Sequence, residues 1–291
     1  MVEEIILGER NLYGNKGQEI AMVGCQGCGK THGLAKIALN RLDLPQTKKN
    51  IVIWRGSKDC QWSYFLNQDE HDVVFWIKEG LDFEVINRDK EKVVDIEDFG
   101  EVNYWSSHKK LVNDHIRNDK INVIYAYPKQ NKLKFVSDWK SIFTQLNERL
   151  YKRYVTVLFD EFADLVPAYP EGEVWKRVVG SNDNEEEGMD EIIRAARKNR
   201  IFYFFVIHNW TDIHHTVSKK IRTKIWMRAS HPNNASNANS IIRSDMTELE
   251  DGEGWIETDD RKSYDGFKFN PFIGDEKNLR LRDIKTPEGG G

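Results

Sequence analysis

The chain has 291 residues, 39% of them hydrophobic and 31% charged, with a formal net charge of −4. These values suit one soluble globular domain of roughly 200 residues carrying an insertion; they exclude a uniformly basic nucleic-acid coat, though not a local basic track. No apolar run approaches the roughly 18 residues of a membrane span, three cysteines make no secreted disulfide framework, and the acidic start MVEEIILGER is unlike a signal peptide, so a cytoplasmic location is expected.

In chain order, Ile20–Gly24 reads as a short buried strand and Gly24–Gly29 as a glycine loop. Lys30–Leu42 reads as a helix with Leu34, Ile37, Ala38 and Leu42 on one face. Asn50–Arg55 is a second strand, which completes the opening of a βαβ unit. Between about 60 and 130, Val73–Ile77, Phe83–Asn87 and Ile121–Tyr127 read as strands and Trp105–Asn118 as partly helical. This stretch is expected to be an α+β insertion between core strands, with its scattered charges (NRDKEKVVDIED) on exposed hairpins. Trp139–Tyr151 is a helix with Ile142, Phe143, Leu146 and Leu150 on its apolar stripe. Val155–Phe159 is a buried strand that ends in Asp160-Glu161. Pro167 and Pro170 mark a loop, and Asp183–Glu191 carries six acids and no base. Met189–Asn199 is a helix, and Ile201–His208, Lys224–Ala229 and Trp255–Thr258 are strands. The stretch 259–291 is expected to be a polar, loop-rich tail.

Four features carry chemistry. Gly24-x-x-x-x-Gly29-Lys30-Thr31 follows a strand and opens a helix, the context in which this spacing cradles phosphates. Backbone N–H groups of Gly24, Cys25, Gln26, Gly27, Cys28 and Gly29, with those of Lys30, Thr31 and His32 at the helix start, would bind phosphate oxygens. Lys30 would reach the β- and γ-phosphates of ATP or GTP, and Thr31 would ligate Mg2+. Asp160, at the end of a buried strand, would hold the same Mg2+ through water, while Glu161 would polarise the attacking water. His208 and Asn209, after the next buried strand, offer a sensor of the γ-phosphate or a cap. Finally, Arg194 to Arg228 contains nine Lys or Arg against one acid, Asp212. Its arginines could act on a neighbouring subunit's phosphate or track a nucleic-acid backbone; the plainer reading is a solvated basic face. Cys25 and Cys28 have the C-x-x-C spacing of redox and zinc sites, but they fill variable positions of the phosphate loop, which a bridge would distort.

The order of these parts resembles the FtsK–HerA superfamily of DNA-pumping ATPases. EIIRAARKNRIFYFFVIHNW is similar to that family's arginine-bearing helix and following strand, KKIRTKIWMRAS to its next strand, and DGEGWIET to its final glycine-containing turn. The resemblance implies a single domain over 1–291 with a RecA-like P-loop core, a mostly parallel α/β sheet flanked by helices. It implies a homo-oligomeric ring, hexameric or pentameric, with ATP and Mg2+ at subunit boundaries and double-stranded DNA in the channel. Lys30 and Thr31 then form the Walker A pair, Asp160 and Glu161 the Walker B pair. His208 stands where the family usually has glutamine, and Arg194 or Arg197 where a trans-acting arginine is expected. Arg55-Gly56 departs from the family's usual aspartate-proline. The expected activity is viral genome packaging, with a capsid or membrane protein as docking partner. The alternatives are a phage assembly or secretion ATPase resembling the Zot family, a conjugation-type DNA-transfer ATPase, or a nucleotide switch that is not a motor.

Overall fold

The apolar runs of this chain are too continuous to leave one face in water, and they assemble into a largely parallel sheet covered on both sides. The computed structural model describes residues 17–43, 50–66, 73–127, 131–151, 153–170, 178, 188–230, 246–258, 261–268 and 278–285. In chain order these form β1 (Gln18–Val23), α1 (Lys30–Leu42), β2 (Asn50–Arg55), β3 (Val73–Lys78), β4 (Asp82–Asn87), β5 (Lys92–Val94), β6 (Glu101–Trp105) and β7 (Ile121–Tyr125). There follow α2 (Lys132–Glu148), β8 (Tyr154–Phe159), α3 (Met189–Ala195), β9 (Ile201–Ile207), α4 (His215–Ser218), β10 (Thr223–Met227), β11 (Glu253–Thr258), β12 (Arg261–Lys268) and β13 (Leu279–Lys285).

Among the described residues, the main sheet has ten strands in the order β12-β11-β10-β1-β9-β8-β2-β7-β3-β6. Every pair from β10 to β6 is parallel, and β11 and β12 close one edge antiparallel. Side chains alternate between the faces, as strand geometry requires. Ile20, Met22, Val52 and Trp54 lie under α1 with Leu34, Ile37 and Ala38. Ala21, Val23, Ile51 and Ile53 share the other face with Ile142, Phe143 and Leu146 of α2 and Ile192 and Ile193 of α3. Trp139 and Phe143 meet Phe159 edge-on, at centroid distances of 4.9 and 5.9 Å, and so seat α2 on β8. The chain is thus α/β, with helices on both faces of a mostly parallel sheet.

Three expectations from the sequence differ from the structure. The stretch 60–130 does not stand apart from the core: β3, β6 and β7 form the outer part of the main sheet. Their apolar runs VVFWIK and INVIY are buried throughout apart from Lys78. Only β4 and β5 leave it, to pair with β13 in a separate three-stranded sheet. The helix expected at Trp139–Tyr151 starts seven residues earlier, at Lys132, and ends at Glu148, leaving Leu150 84% exposed. The tail contains two strands. In β13, Leu279 and Leu281 are buried while Arg280 and Arg282 reach outward to Asp59 and Glu84. That Leu-Arg-Leu-Arg alternation is a half-buried strand in a stretch whose polar composition reads as loop. The acidic residues 183–187 and the closing glycines lie outside the described residues.

Candidate nucleotide site

In an open parallel sheet, the carboxyl ends of adjacent strands share one edge, and the loops leaving them meet there. β1, β9 and β8 are neighbours, which brings together the residues that follow each of them. Lys30, Thr31, His208, Asp160 and Glu161 all line one cleft of about 500 Å3. The same cleft takes Gln26, Gly27, Gly29 and His32 from the loop and the start of α1.

The loop is shaped by its glycines. Gly27 and Gly29 have φ of +80° and +93°, values that strain any residue with a side chain. Nothing lies within 4 Å of where a Cβ on Gly27 would point, so its backbone faces open cleft. Helix α1 begins without a side-chain cap and without an acid in its first turn. Its unpaired amides and positive dipole end are therefore directed at the cleft. Lys30 Nζ donates to the carbonyls of Gly24 (2.8 Å) and Cys25 (2.6 Å), which holds the ammonium inside the loop. Cys25 and Cys28 are free thiols. Burial raises the pKa of Cys28, against the opposing effect of Lys30.

Across the cleft, Thr31 Oγ1 donates to Asp160 Oδ2 at 3.3 Å. The same oxygen accepts from Gln61 Nε2 at 2.7 Å, and Gln61 is fixed in turn by Ser57 Oγ at 3.1 Å. Asp160 Oδ1 accepts the N–H of Glu161 at 2.9 Å. A hydroxyl and a carboxylate facing each other are hard oxygen donors of the kind Mg2+ takes. Beside the glycine loop, the helix start and a lysine, this donor set fits a magnesium nucleotide. Contrary to the expectation from sequence, the N–H groups of Gly24 and Cys25 donate to the carbonyls of Ile207 (3.3 Å) and Arg228 (3.0 Å) and are not offered to the cleft.

Glu161 sits in the left-handed region, with φ 51° and ψ 52°. This conformation costs a non-glycine residue about 1–3 kcal/mol and persists only where its surroundings enforce it. Glu161 is exposed by area, yet enough protein surrounds its carboxyl to raise its pKa to about 7. Burial is the first cause, followed by the charge of Asp164 and a hydrogen bond with it; Asp160 adds to the rise and Arg55 opposes it. A carboxyl so placed is suited to taking a proton near neutral pH.

His208 stands exposed one residue beyond β9, in the cleft. Asn209 is engaged otherwise: it caps the turn Trp210–Asp212, with its N–H donating to Asp212 Oδ2 at 3.1 Å. Arg194 and Arg197 are not in this chain's cleft. The N–H of Gly17 donates to the carbonyl of Arg197 at 3.2 Å, at the amino end of β1, which is six residues long. Six residues of strand separate that point from the phosphate loop by about 20 Å. Arg194 is exposed, 4.0 Å from Glu191. At this same amino edge, Arg153, Arg200 and Arg222 immediately precede β8, β9 and β10, and all three are exposed.

The cleft also holds residues that the sequence pattern did not single out: Asp59, Gln61 and Tyr64 after β2, and Asp251 and Gly252 before β11. Gly252 N–H donates to the carbonyl of Cys28 at 3.1 Å, and Asp251 pairs with Arg228 at 2.8 Å. The available signal was positional, since polar residues just past the carboxyl end of a parallel strand fall at such a cleft.

Fold and loop together define the class: an α/β fold of the P-loop type, a mostly parallel sheet with a glycine loop between β1 and α1. Solved structures similar to this chain include VirB4 of Thermoanaerobacter pseudethanolicus, at 10% identity and a TM-score of 0.53, covering 88% of this chain and 91% of that one. The plasmid coupling protein TrwB in complex with ADP and Mg2+ is similar at 9% identity and a TM-score of 0.53, covering 88% and 86%. The genome packaging NTPase B204 from Sulfolobus turreted icosahedral virus 2, in complex with ATP-gammaS, aligns at 12% identity and a TM-score of 0.46 over 89% and 98%. No family model and no curated protein matches the chain.

Proposed function

We propose that this chain is an ATP-hydrolysing motor that works as a ring and moves double-stranded DNA, with viral genome packaging as its task. The observation that carries the hydrolytic part is the convergence of Lys30, Thr31, Asp160, Glu161 and His208 on one cleft. The loop amides and Lys30 bind and orient the phosphates. Thr31 and Asp160 hold Mg2+, which when bound offsets the charge that builds on the phosphate oxygens. Glu161 takes the proton of the attacking water, and His208 contacts the γ-phosphate or that water. Arg194 or Arg197 acts in a neighbouring copy's site, since its distance from this chain's own cleft leaves no role there.

The DNA load is supported by the basic amino edge. Arg153, Arg200 and Arg222 stand at the starts of three strands that lie within four neighbouring positions of the sheet. Neighbouring strands are about 4.8 Å apart, so the three charges fall within reach of one phosphate backbone. A conjugation or secretion ATPase is the second reading, favoured by the likeness of fold to VirB4 and TrwB. No helix among the described residues is long and apolar enough to cross a membrane, and we place the motor in the cytoplasm, docked to a capsid or membrane protein.

The test is ATP turnover and particle mass, each with and without duplex DNA. Stimulation by DNA and a nucleotide-dependent ring are expected. Turnover indifferent to DNA, with no ring formed, removes the motor reading and leaves a nucleotide switch or a protein-moving ATPase.

A further inference from the structure

Arg55 ends β2, next to the end of β8, and its side chain reaches under the turn that carries Glu161. It is buried. Nη1 donates to the backbone carbonyl of Asp160, and Nη2 lies 3.3 Å from Asp164 Oδ2. The guanidinium stacks over Phe159 and Phe135, at 4.8 and 5.2 Å from the ring centroids. Glu161 is therefore bracketed. The residue before it is held by its carbonyl, and the residue three after it by its carboxylate, while the N–H of that residue, Asp164, donates to the carbonyl of Glu161 at 2.9 Å.

The bracket coincides with the one backbone feature of this turn that needs enforcing, the left-handed conformation of Glu161. A second cavity, of about 210 Å3, lies against the same turn, lined by Arg55, Phe135, Trp139 and Glu161. Glu161 lines both this cavity and the nucleotide cleft, so it stands between the two.

We propose that Arg55 and Asp164 are positioning residues that hold Glu161 in its left-handed conformation, so that its carboxylate faces the nucleotide cleft instead of the cavity beside it. The inference rests on the reading of Glu161 as the group that activates water. Arg55 acts within its own chain, on the backbone carbonyl of Asp160, and does not line the nucleotide cleft, which separates it from an arginine supplied by a neighbouring copy.

The experiment uses the full chain and a fluorescent ATP analogue to follow binding apart from turnover. Arg55→Met keeps most of the stem over Phe159 and Phe135 but removes both hydrogen bonds. The expected result is a fall in kcat of about a hundredfold, the scale of a misplaced catalytic group, with nucleotide affinity unchanged. Arg55→Lys should fall similarly, since a single ammonium does not reproduce the two-pronged fork. Added to Glu161→Gln, Arg55→Met should cause no further loss, because both changes disable the same group. Wild-type kcat in Arg55→Met, or a loss that multiplies with that of Glu161→Gln, overturns the proposal. Should Arg55→Met fail to bind nucleotide, Asp164→Asn carries the test with the same two outcomes. If Glu161→Gln alone leaves turnover intact, it is the role of Glu161 that fails; if Glu161→Gln abolishes turnover and Arg55→Met does not lower it, only the bracket fails.

Discussion

Under the function proposed above, Lys30 and Glu161 separate binding from chemistry at the scale of single residues. Lys30 is buried in the loop with its ammonium on two carbonyls, and a nucleotide would offer it phosphate oxygens in their place. Lys30→Ala should therefore weaken ATP binding by at least about a hundredfold, the scale of a lost charge-assisted contact, as titration of a fluorescent nucleotide would read. Glu161→Gln keeps the shape and the loop but loses the proton acceptor. Binding should survive and turnover should fall by about 10²–10⁴-fold, measured as phosphate release under saturating ATP. Gln61 offers a third residue-scale test. Its amide donates to the same Asp160 oxygen that accepts from Thr31. Gln61→Ala should raise the Mg2+ concentration needed for half-maximal turnover while leaving metal-free nucleotide binding unchanged.

Among the elements, β13 links a distant part of the chain to the cleft. It pairs with β4, and Leu281 N–H donates to the carbonyl of Lys58 at 2.8 Å, in the loop that leads to Asp59 and Gln61. Leu281 is 1% exposed. Leu281→Ala should cost about 2–5 kcal/mol of stability, read as a lowered midpoint in urea. It should also raise the Mg2+ requirement in the same direction as Gln61→Ala, because the loop loses its outer support. Stability lost with an unchanged Mg2+ requirement would show that β13 is only a brace. The same element explains a failure of composition as a guide: a strand paired in a small peripheral sheet needs only alternate apolar residues, and two leucines suffice.

For the whole molecule, the parallel sheet puts the cleft and a row of basic residues on opposite edges. The cleft lies at the carboxyl ends of β1, β8 and β9, and Arg153, Arg200 and Arg222 at the amino edge. Paired reversal, Arg153→Glu with Arg222→Glu, should abolish stimulation of turnover by DNA and reduce the salt dependence of DNA binding, while basal turnover stays at the wild-type level. Equal loss of basal and stimulated turnover would place these residues in the hydrolytic machinery instead. For the arginines near α3, mixing is decisive. Arg194→Ala or Arg197→Ala subunits, combined with Lys30→Ala subunits, should recover turnover if the arginine serves a neighbouring site. No recovery argues against either as that group.

The sequence by itself determined the local parts of the site. A glycine loop between a strand and a helix, and two acids closing an apolar strand, are set by short-range backbone geometry, so Lys30, Thr31, Asp160 and Glu161, which line one cleft, were legible as candidates from spacing alone. Helix α1 and strand β2 fall where the hydrophobic period places them, for the same reason. Only the tertiary structure decided what meets what across long sequence separations. Strand order brings Gln61 to Asp160 and Arg55 under Glu161, and it sends Arg197 to the far edge of the sheet. It also makes β3, β6 and β7 strands of the main sheet, with β6 at its edge, where charge scattered between them suggested an insertion. Those outcomes depend on which strands become neighbours, a choice made by burying both faces of the sheet at once, and no window of a dozen residues contains it.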